Sequence, residues 1–390
     1  MRRSLRPLQS PRAPRLLASL ALSLSLGACG SPPGPRCHFD DGAALGVAHG
    51  EFDGVALLSL GGTLHALSAD ASGLRLWPLD ALGAPDGPAI SLGAGCDGGL
   101  ASREHEGGAW IACLRRPDEA QDKPGALVLM HLDEAGAILE QQLVATPGRD
   151  SQGVDLEPDA DGVIVAWHDG RPGAWAVWQR RIGPEGRQEP RLISSLRYPA
   201  GRPQLLRDGD RVLTTFAEIG LDSSGEILGE VRIHAGRGVP RRLVGISYEA
   251  PLPTLARDAR GLLLAFRDVR RPYRKAALFI LRLDSRLDPL GEPLRVGRSD
   301  GPGPPILHPS PAGLFAISSH TYRRDILVGA TLLGDELQVL AAEQQVYAFG
   351  AHLVRAAARS DARGLLLLTA GRGDPLEPAA PLHTIRLRCE

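Results

Sequence analysis

One short pattern recurs seven times along the chain at a spacing of about fifty residues: a turn with Gly or Asp, a run of about six apolar residues, then a polar loop. The copies lie at 54–60, 108–114, 162–167, 210–216, 261–266, 313–318 and 364–369. From one first apolar residue to the next, the steps are 54, 54, 49, 50, 52 and 51. A fixed period of this length marks a repeat architecture in which each unit buries its faces against its neighbours. The runs are too short for helices of ten or more residues and are bounded by turn formers, so they predict strands. Their apolarity is continuous rather than alternating, which requires cover on both faces. Inner strands of blades stacked face to face meet that requirement.

The residues around each run fill out the unit. A shorter strand precedes it across a tight turn, as at 159–162, 208–210, 258–261 and 361–364, where Asp and Gly supply local hydrogen bonds and positive φ. A third strand follows a polar loop, as at 276–283, and a fourth segment follows an Asp/Gly turn, as at 284–294 or 191–193. The expected fold is all-β: a propeller of seven four-stranded blades over residues 37–390. The last repeat reaches its third strand at about 382–388 and then the chain stops. The segment Cys37-His38-Phe39 is therefore expected to supply the missing fourth strand and close the ring.

The amino terminus reads as an address. Arg2, Arg3, Arg6, Arg12 and Arg15, with no acid among them, precede an apolar run from Leu16 to Leu26 and the small residues Gly27-Ala28. That is the order of a secretory signal, and the run is shorter than the roughly 20 residues a spanning helix needs. The tetrad Leu26-Gly27-Ala28-Cys29 resembles the bacterial lipobox. The resemblance implies removal of residues 1–28, lipid on Cys29, and a tether at 29–36 rich in Pro and Gly. It also implies export and anchoring in the cell envelope, with Gly30 after the cysteine pointing to the outer membrane. Removing 1–28 takes five arginines and shifts the net charge from −1 to −6, which argues against nucleic acid or a polybasic membrane contact.

Four cysteines remain, Cys37, Cys96, Cys113 and Cys389, and in an oxidising compartment they allow three pairings. Ring closure favours Cys37–Cys389, with Cys96–Cys113 inside the second blade. A bond closing about 350 residues constrains the unfolded chain by on the order of 5 kcal/mol in the chain-entropy description. Cys37-His38 is too small a set to hold zinc, and no metal or cofactor is expected.

The best-formed repeat, 165–186, carries Trp167-x-Asp169-x-Arg171-x-Gly173 followed by Gln179-Arg180. It resembles repeats of bacterial secreted β-propellers, and Phe266-Arg267-Asp268-Val269-Arg270 is a weaker copy. This resemblance implies an architecture and leaves function open. In it Asp169 and Asp268 are expected to accept loop amides and pair with Arg171 and Arg270. The ladder Asp155-x-Glu157-x-Asp159-x-Asp161-Gly162 is read as a plain turn rather than a calcium loop, because no later bidentate acid follows in step. The Trp and Phe residues are read as core.

Loops that follow the second strands share a face with the loops linking blades, the face on which propellers usually hold ligands. Candidate residues there are Arg115, Arg116, His168, Asp169, Glu218, Arg267, Asp268, His320, Tyr322 and Arg323. No nucleophile elbow, zinc-binding helix or phosphate loop is present. The sialidase Asp box has only a stretched relative, at 68–77. The leading expectation is a monomeric, non-catalytic binding or scaffold module for protein, glycan or envelope components. The alternative is an extracellular glycan hydrolase, sialidase-like or of another propeller class.

Overall fold

The computed structural model describes residues 37–389 apart from short segments, of which 118–123 and 373–378 are the longest. The signal region, Cys29, the tether and Arg323 lie outside the described residues. Strands β1 (Cys37–Phe39) and β2 (Ala43–His49) come first in the chain and complete the last blade. Blade 1 is β3 (Gly54–Leu60), β4 (Thr63–Asp70), β5 (Gly73–Leu79) and β6 (Ile90–Gly93). Blade 2 is β7 (Gly99–His105), β8 (Gly108–Arg115), β9 (Ala126–Leu132) and β10 (Ile138–Ala145). Blade 3 is β11 (Val154–Asp159), β12 (Gly162–Asp169), β13 (Ala176–Gly183) and a broken outer edge, β14 (Gly186–Arg187) and β15 (Arg191–Leu192). Pro190, which has no N–H to give a ladder, sits in the break.

Blade 4 is β16 (Ala200–Asp208), β17 (Arg211–Leu221), β18 (Ile227–Ala235) and β19 (Arg237–Ile246). Blade 5 is β20 (Thr254–Asp258), β21 (Gly261–Asp268), β22 (Ala277–Leu283) and β23 (Leu294–Arg298). Blade 6 is β24 (Ile306–Ser310), β25 (Gly313–Tyr322), β26 (Asp325–Leu333) and β27 (Val339–Tyr347). Blade 7 is β28 (His352–Asp361), β29 (Gly364–Arg372) and β30 (Ala379–Cys389), with β1 and β2 on its outer edge. Each first strand packs against the next around the ring, and β28 packs against β3. The fold is thus a seven-bladed β-propeller, with the first strands lining a central channel.

Six of the seven apolar runs are second strands, as the repeat requires. The first is not. Residues 54–60 form β3, the first strand of blade 1, and the second strand is β4, after the turn at Gly61-Gly62. Both strands of that hairpin are apolar enough to match the pattern, so the sequence alone places the first copy one strand early.

Closure follows the expected route. Residue Cys37 is the cross-strand partner of Cys389, and the two are disulfide-bonded across 352 residues. The same edge continues in β2, which pairs with β30 from Ala43 opposite Thr384 to His49 opposite Ala379. The second disulfide joins Cys96 and Cys113 inside blade 2.

The core lies in the seams between blades. One apolar cluster fills blades 1 and 2 through Leu67, Leu76, Ile111 and Met130; another fills blades 4 and 5 through Ile233, Leu264, Phe266 and Phe279. At blades 3 and 4 the described seam divides into two small groups, Val177, Ile193, Ala200 and Phe216 in one and Ala166, Leu205 and Val212 in the other. A cavity opens at this seam.

The first strands also carry charge into the channel. Arg103 on β7 reaches Asp155 and Glu157 on β11, each at 3.2 Å, and donates to the Leu205 carbonyl on β16 at 3.4 Å. Asp155 also accepts the Leu205 amide at 2.7 Å. The first two acids of the ladder are therefore neither a turn nor a calcium loop; they tie three blades through one guanidinium. Asp159 behaves as a turn residue, accepting the Ala160 amide at 2.7 Å while holding Arg181 at 2.6 Å, and Asp161 lies outside the described residues. Burial holds the carboxyls of Asp155 and Glu157 above their ordinary values, against the pull of Arg103.

Candidate functional site

Second strands end, and first strands begin, on the same side of the disc, here called the mouth face. There a cavity of about 360 Å³ lies over blades 3 and 4 and reaches the loop into blade 5. This volume is within the range of small-molecule sites. Its walls include His168 and Trp175 of blade 3, Pro199 to Arg202 and Ala217 of blade 4, and Pro251 to Pro253. At the seventh position of the second strand, blade 3 carries His168, blade 5 carries Arg267, and blade 4 carries only Ala217. The small residue between two large ones leaves the space.

Local structure fixes the walls. The Trp175 carbonyl accepts the Ala200 amide at 3.2 Å, which holds the blade 3 loop against blade 4. The Trp175 indole meets the His168 ring edge-on, with centroids 5.9 Å apart, and remains 43% exposed. His168 is buried beneath Gly201, where an added Cβ would stand 3.5 Å from the imidazole ring. Arg202 sits in a bulge of β16 between Gly201 and Gln204, with φ at +54°.

The candidate residues read from the sequence divide. Of those among the described residues, His168 alone lines the cavity. Asp169, Glu218 and Asp268 are buried and serve the scaffold. Asp169 accepts the Gly148 amide at 3.2 Å and Asp268 accepts the Ser247 amide at 2.9 Å. Glu218 takes the Ser195 amide at 2.8 Å and its hydroxyl at 3.0 Å, and pairs with Arg232 at 2.7 Å. Asp268 also pairs with Arg270 at 3.0 Å, as expected, while Arg171 lies outside the described residues.

Arg267 is buried on all sides. It donates to the Gly301 carbonyl at 2.6 Å and to the Gly303 carbonyl, and among the described residues no carboxylate pairs with it. Burial pulls its pKa down to about 10, with the nearby charge of Arg202 acting in the same sense. Arg115 ends blade 2's second strand with Arg116 just after it, and His320 lies in that of blade 6, on the mouth face but away from the cavity. Burial lowers the pKa of His320, helped by Arg298. Tyr322 ends β25. The stretched Asp-box relative is the β4–β5 hairpin, with Asp70 accepting the Gly73 amide at 3.1 Å and Ser68 accepting the Trp77 indole N–H at 3.0 Å.

Trp175 and Arg202 were not among the candidates. The sequence places Trp175 in the core with the other aromatics; Trp167, 2% exposed, is core and Trp175 is not. Arg202 stands ahead of its blade's apolar run and no sequence pattern distinguishes it from the chain's other arginines. Among the described residues no cluster of three or more His, Cys, Asp or Glu could hold a metal ion.

No protein-family model matches this sequence, and no curated protein matches it. Solved structures share its architecture. The α-L-arabinanase of Penicillium chrysogenum, solved with arabinobiose, aligns over 89% of this chain and 98% of its own, at 9% identity and a TM-score of 0.50. The Trypanosoma rangeli sialidase, in complex with sialic acid, aligns over 85% of this chain and 59% of its own, at 8% identity and a TM-score of 0.46. The haemagglutinin-neuraminidase ectodomain of parainfluenza virus 5 aligns over 74% and 79%, at 10% identity and a TM-score of 0.46. At these identities the likeness is one of fold.

Proposed function

We propose that the chain is an exported, lipid-anchored propeller that recognises a glycan, taking a sugar unit into the mouth-face cavity. The observation that carries this reading is Trp175: a half-exposed indole, held in place by Ala200 and His168, at the wall of a cavity large enough for a small ligand. A sugar presents one apolar face of C–H groups and a rim of hydroxyls, and an indole wall with a few polar groups suits both. The fold likeness to an arabinanase solved with arabinobiose supports a carbohydrate ligand over a protein one. The two disulfides support an oxidising compartment, and Cys29 in its lipobox-like setting supports the anchor.

Hydrolysis of that glycan is the second reading, favoured by the same likeness. Among the described residues no carboxylate lines the cavity, and Glu218, the acid next to the lining residue Ala217, is fully buried and committed to Ser195 and Arg232.

A glycan array followed by calorimetry on the full chain tests both readings. Binding that falls at least tenfold in Trp175→Ala, with the melting temperature unchanged, supports recognition. Binding equal in the variant, or no glycan bound, overturns it. Release of reducing ends that Trp175→Ala abolishes would add catalysis to recognition.

A further inference from the structure

The residues that line the mouth-face cavity differ in how far they are covered. Trp175, Pro199 and Arg202 are exposed and form its rim. Ala200, Ala217, Pro251, Leu252 and Pro253 are buried and form its floor, with His168 beside them. The side chains of those five floor residues are hydrocarbon. The His168 ring lies beneath Gly201 and edge-on to Trp175.

The backbone of the walls is engaged as well. The carbonyls of Trp175, Pro199 and Pro251 accept the amides of Ala200, Ile219 and Arg267 at 3.2, 2.9 and 2.8 Å. Pro199, Pro251 and Pro253 have no N–H to offer. A hydroxyl carried down to Leu252 and Ala217 leaves water and meets carbon, and a polar group buried without a hydrogen bond is unfavourable. A methyl group in the same place gains from leaving water.

Leu252 carries a second sign. It stands at φ +43°, a left-handed backbone that strains a leucine and suits a glycine. It is 4% exposed and lines the floor. Strain kept at a concave site points to function. What leucine adds there over glycine is apolar surface.

We propose that the cavity selects a sugar unit that carries a methyl group, as a 6-deoxyhexose or an acetylated sugar does, seated against Leu252, Ala217 and Pro253 while Trp175 covers the ring. The proposal rests on the glycan reading of the cavity. One carbon gained or lost in an apolar pocket changes affinity by about tenfold or more.

Matched sugars test it. L-Rhamnose differs from L-mannose, and L-fucose from L-galactose, only by the hydroxyl at C6; N-acetylgalactosamine against galactose supplies an acetyl methyl instead. Binding of each to the full chain is measured by calorimetry at millimolar sugar. The expected result is that the methyl-bearing member of at least one pair binds about tenfold more tightly, and the pair that responds identifies the source of the methyl. Leu252→Asn should remove that preference, because asparagine is close to leucine in size, tolerates the left-handed backbone and brings an amide to the floor. Ala217→Val should remove it too, by filling the space with a residue that suits a strand, and it serves as the test if Leu252→Asn fails to fold. Equal binding within every pair, or a preference that survives both substitutions, overturns the methyl assignment and leaves glycan recognition standing. If none of these sugars binds and a glycan array is also blank, both fall.

Discussion

The Asp169 carboxylate accepts the amide of Gly148, twenty-one residues earlier in the chain, at 3.2 Å. The bond joins the end of a second strand to the loop arriving from the previous blade. Glu218 with Ser195 and Asp268 with Ser247 repeat it in blades 4 and 5. In blades 2 and 6 the same tie is made in reverse: Asp97 on the arriving loop accepts the Arg116 amide at 2.6 Å, and Asp300 accepts the Thr321 amide at 3.0 Å. An acid that holds one loop in each of five blades is part of the frame. Asp169→Ala should therefore cost about 1–2 kcal/mol, the penalty for a buried amide left without its acceptor. Glu218→Ala should cost somewhat more, about 2–3 kcal/mol, because the Ser195 hydroxyl also loses its acceptor and Arg232 keeps only Glu230 of its two carboxylates. Urea denaturation of the two variants checks both the values and their order.

The disulfide between Cys37 and Cys389 staples the pairing of β1 and β2 with β30 that completes the last blade. Replacing both cysteines with serine should destabilise the fold by a few kcal/mol, up to about 5 in the chain-entropy limit. The loss should begin locally. Hydrogen exchange should accelerate in β1, β2 and β30 before it does in blades 3 to 5. Uniform acceleration across all blades would contradict a single seam.

Arg103 joins blades 2, 3 and 4 inside the channel. Its side chain is 38% exposed, while those of Asp155 and Glu157 are 8% and 13% exposed. Arg103→Met keeps the stem but strands two carboxylates. Breaking a buried pair costs about 3–5 kcal/mol, and solvent in the lumen screens part of that, so a loss of about 2 kcal/mol is expected. Stability of the variant should also improve on acidification to about pH 4 relative to wild type, as the stranded acids take up protons. A variant as stable as wild type at pH 7 would show that the network is incidental.

Five histidines, His65, His234, His308, His320 and His383, have pKa values held below the ordinary 6.5 by burial. The unfolded chain binds their protons at about 6.5, the folded chain only at lower pH. Stability is therefore full above about pH 6.5 and falls as the pH drops below it. His308 shows the reason: its Nε2 accepts the Ser360 amide at 2.8 Å, and a proton there breaks the bond between β24 and β28. Melting temperature measured from pH 7.5 to 5 should fall, and His308→Gln should fall less steeply. A flat profile in the wild type would contradict the assignment.

The sequence shows the blades because each second strand is apolar on both faces, a property local to a few residues. Even the cysteine pairing at the seam follows from counting strands. The phase of the first repeat does not, because β3 and β4 carry the same apolar pattern and only pairing tells them apart. The site is less legible still. Asp169, Glu218 and Asp268 look like ligand groups by type and loop position, and their amide partners lie twenty-one to twenty-three residues away. The cavity depends on Ala217 standing between two larger residues of neighbouring blades, a comparison that needs the register. Arg202 is marked by its backbone angle, which leaves no trace in its identity.

The closing strand also sets a direction. Cys37 pairs with Cys389, which stands level with the turn before Gly364, on the side of the disc away from the mouth. From Cys37 the chain climbs the rim through β2 and enters β3 at the mouth face. The described chain therefore enters the disc on one face, and the cavity opens on the opposite one.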